Sequence, residues 1–519
     1  MEMVDQTRKF NFIKYVINEI KKKLKSVAKD KDVTLILENL QNFFEALGPL
    51  EEKSIASPIE LSKSKEKLFE YEKIYLPFFE ENRDISEQLK PDNLIMTVGL
   101  QSEPLILSIL CLKPKKVFLL YSEESRKNAE EVSNDPDVKK LNIKISFVEI
   151  TEYDATKNYA IMKEILDKLT KNSRTVIDPT GGRKIMISSL SLVAFYYRLP
   201  IVYMHGLDVK GKIIPFSEML RRIENPFEYY GDIELQLVEE LFNSHFYEAA
   251  VKMCGKLLKS TKDLATSKKI ELVMELISIY RDWDAFLHSA VHKKPEVTLS
   301  ERLEDAVKEF KRFRICTWLP EGFEKNIEFL KQIDKRWKNK YNIVDEFRLV
   351  DVYLSALRRG SEKQAKYDDA IARLYRCIEM SATFKLYSKG IKSTEYPDFE
   401  SFVINLGFTK QELKDRFAKL QRRNLPDEKL GLDNQMSLLK IMDENDRIVR
   451  IYESMKDLIK TRNRSILAHG TYSATEKDWI NFRNKTKQIL IELLGEKRFD
   501  ELLNMGWHGK IVFNTIIQS

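Results

Sequence analysis

Between residues 93 and 206 the sequence alternates short apolar runs with segments of helical period, and this limits the fold more than any other feature. NLIMTV, KVFLLY, KISFVEI, RTVID and PIVYMHG are each long enough for one buried strand and too short for a helix. Each of the first four is followed by a helical segment: LILSILCL, SRKNAEEV, NYAIMKEILDKL and the long stretch after PTGGRK. Near-continuous apolar strands joined by crossover helices are the pattern of a parallel sheet covered on both faces. The expected fold of residues 89–225 is therefore a Rossmann-like, doubly wound α/β sheet.

The flanking regions read differently. Residues 1–88 show helical spacing in FNFIKYVINEIKKKLKSV and VTLILENLQNFFEALG, and residues 1–64 carry no recognisable motif. After Asn225-Pro226 the chain stays helical to the end, which predicts a helical connector over 226–342 and an all-α domain over 343–519. A chain of 519 residues exceeds what one core can serve, so several domains are expected.

Composition excludes several classes. With 43% hydrophobic and 32% charged residues the chain builds real cores. Its start lacks the apolar core of a signal peptide, and its longest apolar stretches, such as residues 186–197, fall short of the roughly 20 residues that span a bilayer. A cytoplasmic protein without a membrane partner is expected. Cys111, Cys254, Cys316 and Cys377 are far apart, with no C-x-x-C pair, and read as buried thiols. His288 and His292 sit four apart, but HSAVH lacks the glutamate of H-E-x-x-H. No metal or cofactor is expected. The net charge of +7 is mild for this length, so a nucleic-acid footprint would have to be local.

In doubly wound sheets, ligands bind beyond the carboxyl ends of the strands, where helix N-termini present free N–H groups. The loops to watch are GLQSEP, SEES and DPTGGRK. Gly181 and Gly182 let the backbone approach a ligand, Thr180 offers a hydroxyl, and Arg183 or Lys184 adds charge. Gly99, Leu100, Gln101 and Ser102 come from the neighbouring loop and Ser122 from the third. The competing reading is that two glycines merely shape a tight turn. There is no G-x-G-x-x-G after the first strand and no P-loop, which argues against a dehydrogenase or an NTPase of those types.

The order TVGLQSEPLILSI, KPKKVFLLYSEES, IDPTGGRKIM and NPFEYYGDIELQLVEELF resembles the CRISPR-associated Rossmann fold (CARF) sensor of type III CRISPR ancillary ribonucleases. The likeness runs from about residue 65 to the C-terminus and includes RLVDVYLSALRRG and KYDDAIARLYRCIEM. It implies that these loops bind a cyclic oligoadenylate, with cyclic tetra-adenylate expected ahead of the hexa-adenylate, across the two-fold axis of a homodimer. A ring of identical nucleotides can present the same face to both halves of such an interface.

In ENDRIVRIYESMKDLIKTRNRSILAHG the apolar residues Ile448, Tyr452, Met455 and Ile459 step by three or four, and the series continues through Arg462, Ile466 and His469. On one regular helix Arg462 and His469, two turns apart, share a face, whereas Arg464 points elsewhere. A charged residue on a packing seam needs a partner or an anionic ligand, and a buried Arg–carboxylate pair would satisfy it equally. RNRSILAH also resembles the R-x(4 to 6)-H motif of HEPN ribonucleases, in two registers: Arg462-Asn463 with six intervening residues, or Arg464-Ser465 with four. Arg462 is ranked first on the helix-face argument.

The motif contains no cluster of acidic metal ligands, so the economical reaction is attack of the RNA's own 2′-hydroxyl on the adjacent phosphate. It leaves a 2′,3′-cyclic phosphate and a 5′-hydroxyl. His469 would transfer a proton, an arginine would stabilise the phosphorane-like charge, and Asn463 or Ser465 would orient the phosphate. Lys456, Lys460, Arg464 and the KDRFAKLQRR run could hold single-stranded RNA. The expected function is thus a metal-independent, ring-activated endoribonuclease. The alternatives are a non-cutting, nucleic-acid-binding regulator, for which no helix-turn-helix is visible, or a sensor domain that also degrades its ring.

Overall fold

A computed structural model of the chain describes residues 79, 82–170, 172–206, 208–209, 212–213, 218–287, 297–313, 322–337, 344–391, 394, 397–427, 429–465, 467 and 470–509. Most of the helical extension expected over 1–88, together with Cys316, His288, His292, Ile466 and His469, lies outside these residues. The chain divides into two units between Tyr229 and Tyr230.

The first unit runs α1 (Arg83–Leu89), β1 (Asn93–Thr97), α2 (Glu103–Leu112), β2 (Lys116–Tyr121), α3 (Arg126–Asn134), α4 (Pro136–Lys140) and β3 (Lys144–Glu149). It continues with α5 (Ala155–Asp167), β4 (Thr175–Asp178), α6 (Lys184–Tyr197), β5 (Ile201–His205), the short hairpin β6 (Asp208–Val209) and β7 (Lys212–Ile213), and β8 (Met219–Ile223). The helix α7 (Pro226–Tyr230) closes it. The six-stranded sheet has the order β3-β2-β1-β4-β5-β8, with β1 to β5 parallel.

The central strands β1, β2 and β4 are mostly apolar because both faces of the sheet are covered there. Along β1, Leu94 and Met96 join one core cluster and Ile95 the other; along β2, Val117 and Leu119 oppose Phe118 and Leu120 in the same way. The α/β reading is therefore correct. It missed β8, which runs antiparallel to β5. MLRRI buries only Leu220 and leaves Arg221 and Arg222 exposed, so it carries no apolar run to announce a strand.

The second unit is helical. It begins with α8 (Asp232–Asn243), α9 (Tyr247–Ser260), α10 (Leu264–Asp284), α11 (Leu299–Phe313) and α12 (Gly322–Trp337). Then come α13 (Glu346–Arg359), α14 (Tyr367–Ser388), α15 (Phe399–Leu406), α16 (Lys410–Gln421) and α17 (Leu432–Met442). The last four are α18 (Arg447–Ser454), α19 (Lys456–Asn463), α20 (Glu476–Leu494) and α21 (Glu496–Gly506). Side chains of Asp263, Asp345, Thr409, Asp446 and Thr475 cap α10, α13, α16, α18 and α20, each cap contributing about 1 kcal/mol.

One apolar core extends from Leu235 to Leu502, so the connector and the last helices share an interior. Cys254 and Cys377 are buried in it, and Cys111 in the sheet unit, where burial pushes the Cys111 and Cys254 thiols up to about 12. Several polar groups in the helical core are paired: Trp283 Nε1 donates to Asp351 at 2.9 Å and the Tyr280 hydroxyl to Asn326 at 2.7 Å.

His508 couples this core to pH. Its Nδ1 lies 2.6 Å from the Tyr247 hydroxyl, its Nε2 has no hydrogen-bond partner among the described residues, and its ring packs 4.3 Å from Trp283. Burial, with Arg358 adding to it, holds the imidazole well below the usual histidine range. The unfolded chain therefore takes up a proton that the folded chain refuses, so stability falls as pH drops below about 6.5 by at most about 1.4 kcal/mol per unit. All five tryptophans lie in this unit, so their fluorescence reports it selectively. Denaturant midpoints between pH 7 and pH 5 should decline in the wild type and decline less steeply in His508→Asn, whose amide retains a partner for Tyr247.

Candidate ligand crevice and nuclease motif

In the sheet unit β1 pairs with β2 on one side and β4 on the other, so the strand order reverses between β1 and β4. A crevice opens at such a switch point beyond the carboxyl ends of the strands. The loops that follow β1 and β4 meet there through glycine backbone. A Cβ on Gly181 would lie 2.7 Å from both Gly99 N and Thr97 O, and one on Gly99 would lie 2.6 Å from Gly182 N. Gly182 has φ +103°, a conformation that side chains other than glycine's rarely allow. The Thr97 hydroxyl donates to the Gly181 carbonyl and locks the contact.

Below the crevice Asp178, fully buried at the end of β4, accepts hydrogen bonds from the Ser108 hydroxyl at 2.5 Å and the Thr180 amide at 2.9 Å. The Thr180 hydroxyl also donates to it. Burial raises the Asp178 carboxyl above its ordinary range despite these donors. Thr180 Oγ1 in turn accepts from Met204 N at 2.8 Å, so this hydroxyl ties β4 to β5 and is already engaged in both directions.

The other proposed ligand residues fall into two sets. Ser102 and Ser122 are buried, and their hydroxyls donate to Glu131 at 3.0 Å and Glu152 at 2.6 Å. Arg183 is held by Glu124 at 2.5 Å and Glu152 at 3.1 Å, so its charge is balanced within the protein. Leu100, Gln101 and Lys184 are exposed, and the first turn of α6 has no side-chain cap. Among the described residues Lys184 has no ion-pair partner. The crevice therefore offers glycine backbone, helix-start N–H groups and Lys184 to an anion.

Glu124, Asn128, Glu131, Glu152 and Asp178 were not anticipated. Asn128 donates to the Leu100 carbonyl at 3.0 Å and so fixes the loop after β1. Glu152 follows β3, whose loop opens at the same carboxyl edge, and that position was its one available signal.

In the helical unit the single long helix expected through His469 is broken. The core series holds as far as Met455: Ile448, Tyr452 and Met455 are buried and Ile459 packs on the core. Helix α18 then ends at Ser454 and α19 ends at Asn463. Beyond it the chain turns, with Gly470 N donating to Ser465 O at 3.1 Å and Tyr472 N to Arg464 O at 3.0 Å. The helical face shared by Arg462 and His469 does not exist, so it gives no ground for ranking the two arginines. A Cβ on Gly470 would sit 2.0 Å from Arg464 O, which is why the turn needs glycine. Apolar spacing could not show this, since both halves keep period across the break.

Arg462 is half-buried, with its guanidinium carbon 4.3 Å from the Tyr375 ring centre and Nη1 donating to Asn463 Oδ1 at 3.0 Å. Asn463 and Arg464 are exposed, while Ser465 is buried. Among the described residues neither arginine has an ion-pair partner. The turn is anchored downstream, where Asp368 at the start of α14 accepts from Ala474 N at 3.1 Å and the Tyr472 hydroxyl donates to Asp478 at 2.9 Å. Among the described residues no group of three His, Cys, Asp or Glu side chains is placed to hold a metal ion. Among the described residues no helix is long and apolar enough to cross a membrane.

The family model of the Csm6 HEPN domain matches residues 336–493, which contain the whole RNRSILAH turn. These residues form a Csm6-type HEPN domain. A Rossmann-like parallel sheet precedes this matched segment in the chain. Among solved structures, Enterococcus italicus Csm6 bound to cyclic hexa-2′-fluoro-hexa-dAMP is similar at 12% identity, over 80% of this chain and 98% of its own, with a TM-score of 0.44. Can2 from Sulfobacillus thermosulfidooxidans in complex with cyclic tetra-adenylate is similar at 15% identity, over 49% of this chain and 71% of its own, with a TM-score of 0.22. No curated protein matches the sequence.

The turn geometry makes a direct prediction. Gly470→Ala forces the Arg464 carbonyl away and breaks the hydrogen bonds of the 470 and 472 amides. Hydrogen exchange at those two amides should rise by about tenfold or more, with α14 amides unchanged.

Proposed function

We propose that the chain is a metal-independent endoribonuclease for single-stranded RNA, acting as a homodimer and switched on by a cyclic oligoadenylate at the β1/β4 crevice. The observation that carries the reading is one chain joining a HEPN domain with an R-x(4 to 6)-H turn to a sheet whose switch-point loops are locked together by glycines. The crevice suits a phosphate-rich ring because its free groups are backbone N–H, Lys184 and exposed Gln101. Residues Thr180, Ser102, Ser122 and Arg183 shape the crevice through their internal bonds, and Gly99, Leu100, Gly181 and Gly182 line it with backbone.

A homodimer is supported by α6. Ile185, Leu192 and Tyr196 lie on one face and are 37%, 56% and 68% exposed, and the crevice loop feeds directly into this helix. A two-fold contact on that face brings two copies of the loop together around a symmetric ligand.

At the nuclease motif Arg462 is held by Tyr375 and Asn463 before any substrate arrives, so it stabilises charge with little reorganisation. Arg464, exposed in the turn, is the second candidate. In the reaction the 2′-oxygen bonds to phosphorus as the P–O5′ bond breaks. The 2′-hydroxyl loses its proton and the leaving 5′-oxygen gains one, with His469 transferring a proton. The products are a 2′,3′-cyclic phosphate and a 5′-hydroxyl.

His469→Ala should lower cleavage of labelled RNA in EDTA by about 10²- to 10⁴-fold while ring binding is unchanged. Arg462→Ala should fall further than Arg464→Ala, and near-normal cleavage by His469→Ala would remove the motif from the chemistry. Wild-type cleavage should appear with cyclic tetra-adenylate and less with the hexa-adenylate; cleavage that ignores both rings, or stops in EDTA, refutes the reading.

Lys184→Ala should raise the ring concentration for half-activation by roughly 10- to 150-fold, with cleavage at saturating ring recovering. An unchanged half-activation concentration would move the sensor site away from DPTGGRK.

A further inference from the structure

A second concave site lies wholly in the helical unit, outside the nuclease motif. A cavity of about 440 Å³, within the usual size of small-ligand pockets, opens between the turn joining α8 to α9 and the turn joining α13 to α14. The two turns are stitched together: Gln364 Nε2 donates to His245 O at 2.9 Å and Lys363 Nζ to Ser244 Oγ at 3.0 Å. Each contains one non-glycine residue in the left-handed region, His245 at φ 64° and Ala365 at φ 49°. Such conformations persist only where the surroundings fix them.

The charge in and behind the wall is positive. Lys252, Arg281, Arg359 and Lys366 line the cavity against two carboxylates, Glu248 and Asp284. Asp284 is already shared by two buried guanidiniums, accepting from Arg358 Nε at 3.0 Å and from Arg359. Arg358 is 1% exposed, and its Nη1 and Nη2 have no hydrogen-bond partner among the described residues. Asp369, 3.3 Å from Arg359, also carries Arg373, so three guanidiniums share two carboxylates. Glu248 is divided between Lys252 and Arg281, Arg281 also donates to Asp282 at 2.9 Å, which it shares with Arg302, and among the described residues Lys366 has no ion-pair partner. Concentrated positive charge beside a cavity is stabilised by a bound anion.

One side of the same cavity is aromatic. His245, Phe246 and Tyr247 line it, and the His245 ring is oriented by the 2.8 Å contact of its Nδ1 with the Tyr247 hydroxyl. That hydroxyl also contacts His508 at 2.6 Å, which fixes the group from behind.

We infer that this cavity binds a mononucleotide-sized phosphate ester, its phosphate on Lys366 and Lys252 and its base against the His245 ring. The site is distinct from the crevice and does not depend on the ribonuclease reading. The test is calorimetric titration of the full-length protein with ADP in metal-free buffer, with inorganic phosphate in a second arm. Wild type should bind ADP saturably and phosphate more weakly. The double variant Lys252→Glu/Lys366→Glu should lose at least about tenfold in ADP affinity with tryptophan fluorescence unchanged, and Lys366→Arg should retain binding. His245→Asn, which tolerates the left-handed backbone, should weaken ADP and leave phosphate unchanged. Lys184→Glu, which alters the crevice alone, should leave ADP affinity intact. Absent saturable binding, affinity unmoved in the double variant, or a loss confined to Lys184→Glu would each overturn the site. Equal affinity for ADP and phosphate would overturn the role of the aromatic wall.

Discussion

The buried carboxylate of Asp178 fixes the geometry on which the crevice of the sheet unit depends. It ends the strand at the switch point, where an unpaired charge would be costly, and the chain answers with one hydroxyl from α2 and an amide and hydroxyl from Thr180. Those bonds hold Thr180, which receives the β5 amide, and so place Gly181 against Gly99. No side chain can intervene at that contact. The two loops therefore move as one body, and their spacing is set by backbone contact rather than by adjustable rotamers.

The helical half is organised by α14, 22 residues long, which packs on α13, α17, α19 and α20. It supplies Tyr375 beneath Arg462 and Asp368 beneath the end of the nuclease turn. The motif is thus irregular chain held at both margins by one rigid helix. A site built this way leaves Arg464 exposed and Ser465 buried beside it.

The sheet was legible because burial on both faces of β1, β2 and β4 favours runs of apolar residues, and the glycine loops because close backbone approach excludes other residues. The edge strand β8 was not, since its exposed arginines satisfy no periodic pattern. At the crevice the sequence identified polar residues but not their partners. Ser102, Ser122, Thr180 and Arg183 looked available to a ligand, yet each is engaged by a group distant in sequence. At the R-x(4 to 6)-H motif the sequence was read as one regular helix, whereas the structure ends the helix at Asn463 and turns. Met455 is buried at the junction of α18 and α19, so the break preserves the very periodicity used to detect the helix.

These internal engagements bear on how a ring could act as a switch. A ligand shifts an equilibrium only by the difference between its affinities for two states. Loops already locked by Asp178, the glycine contact and the glutamates have little left to order, so loop folding can supply little of that difference. On the proposed reading it comes instead from how many free groups each state presents to the ring at once. Lys184 and the start of α6 are repeated by symmetry in a dimer, and a shift along the apolar face of that helix changes the distance between the two copies. The ring then acts as a gauge of that separation, reading rigid loops across a movable interface.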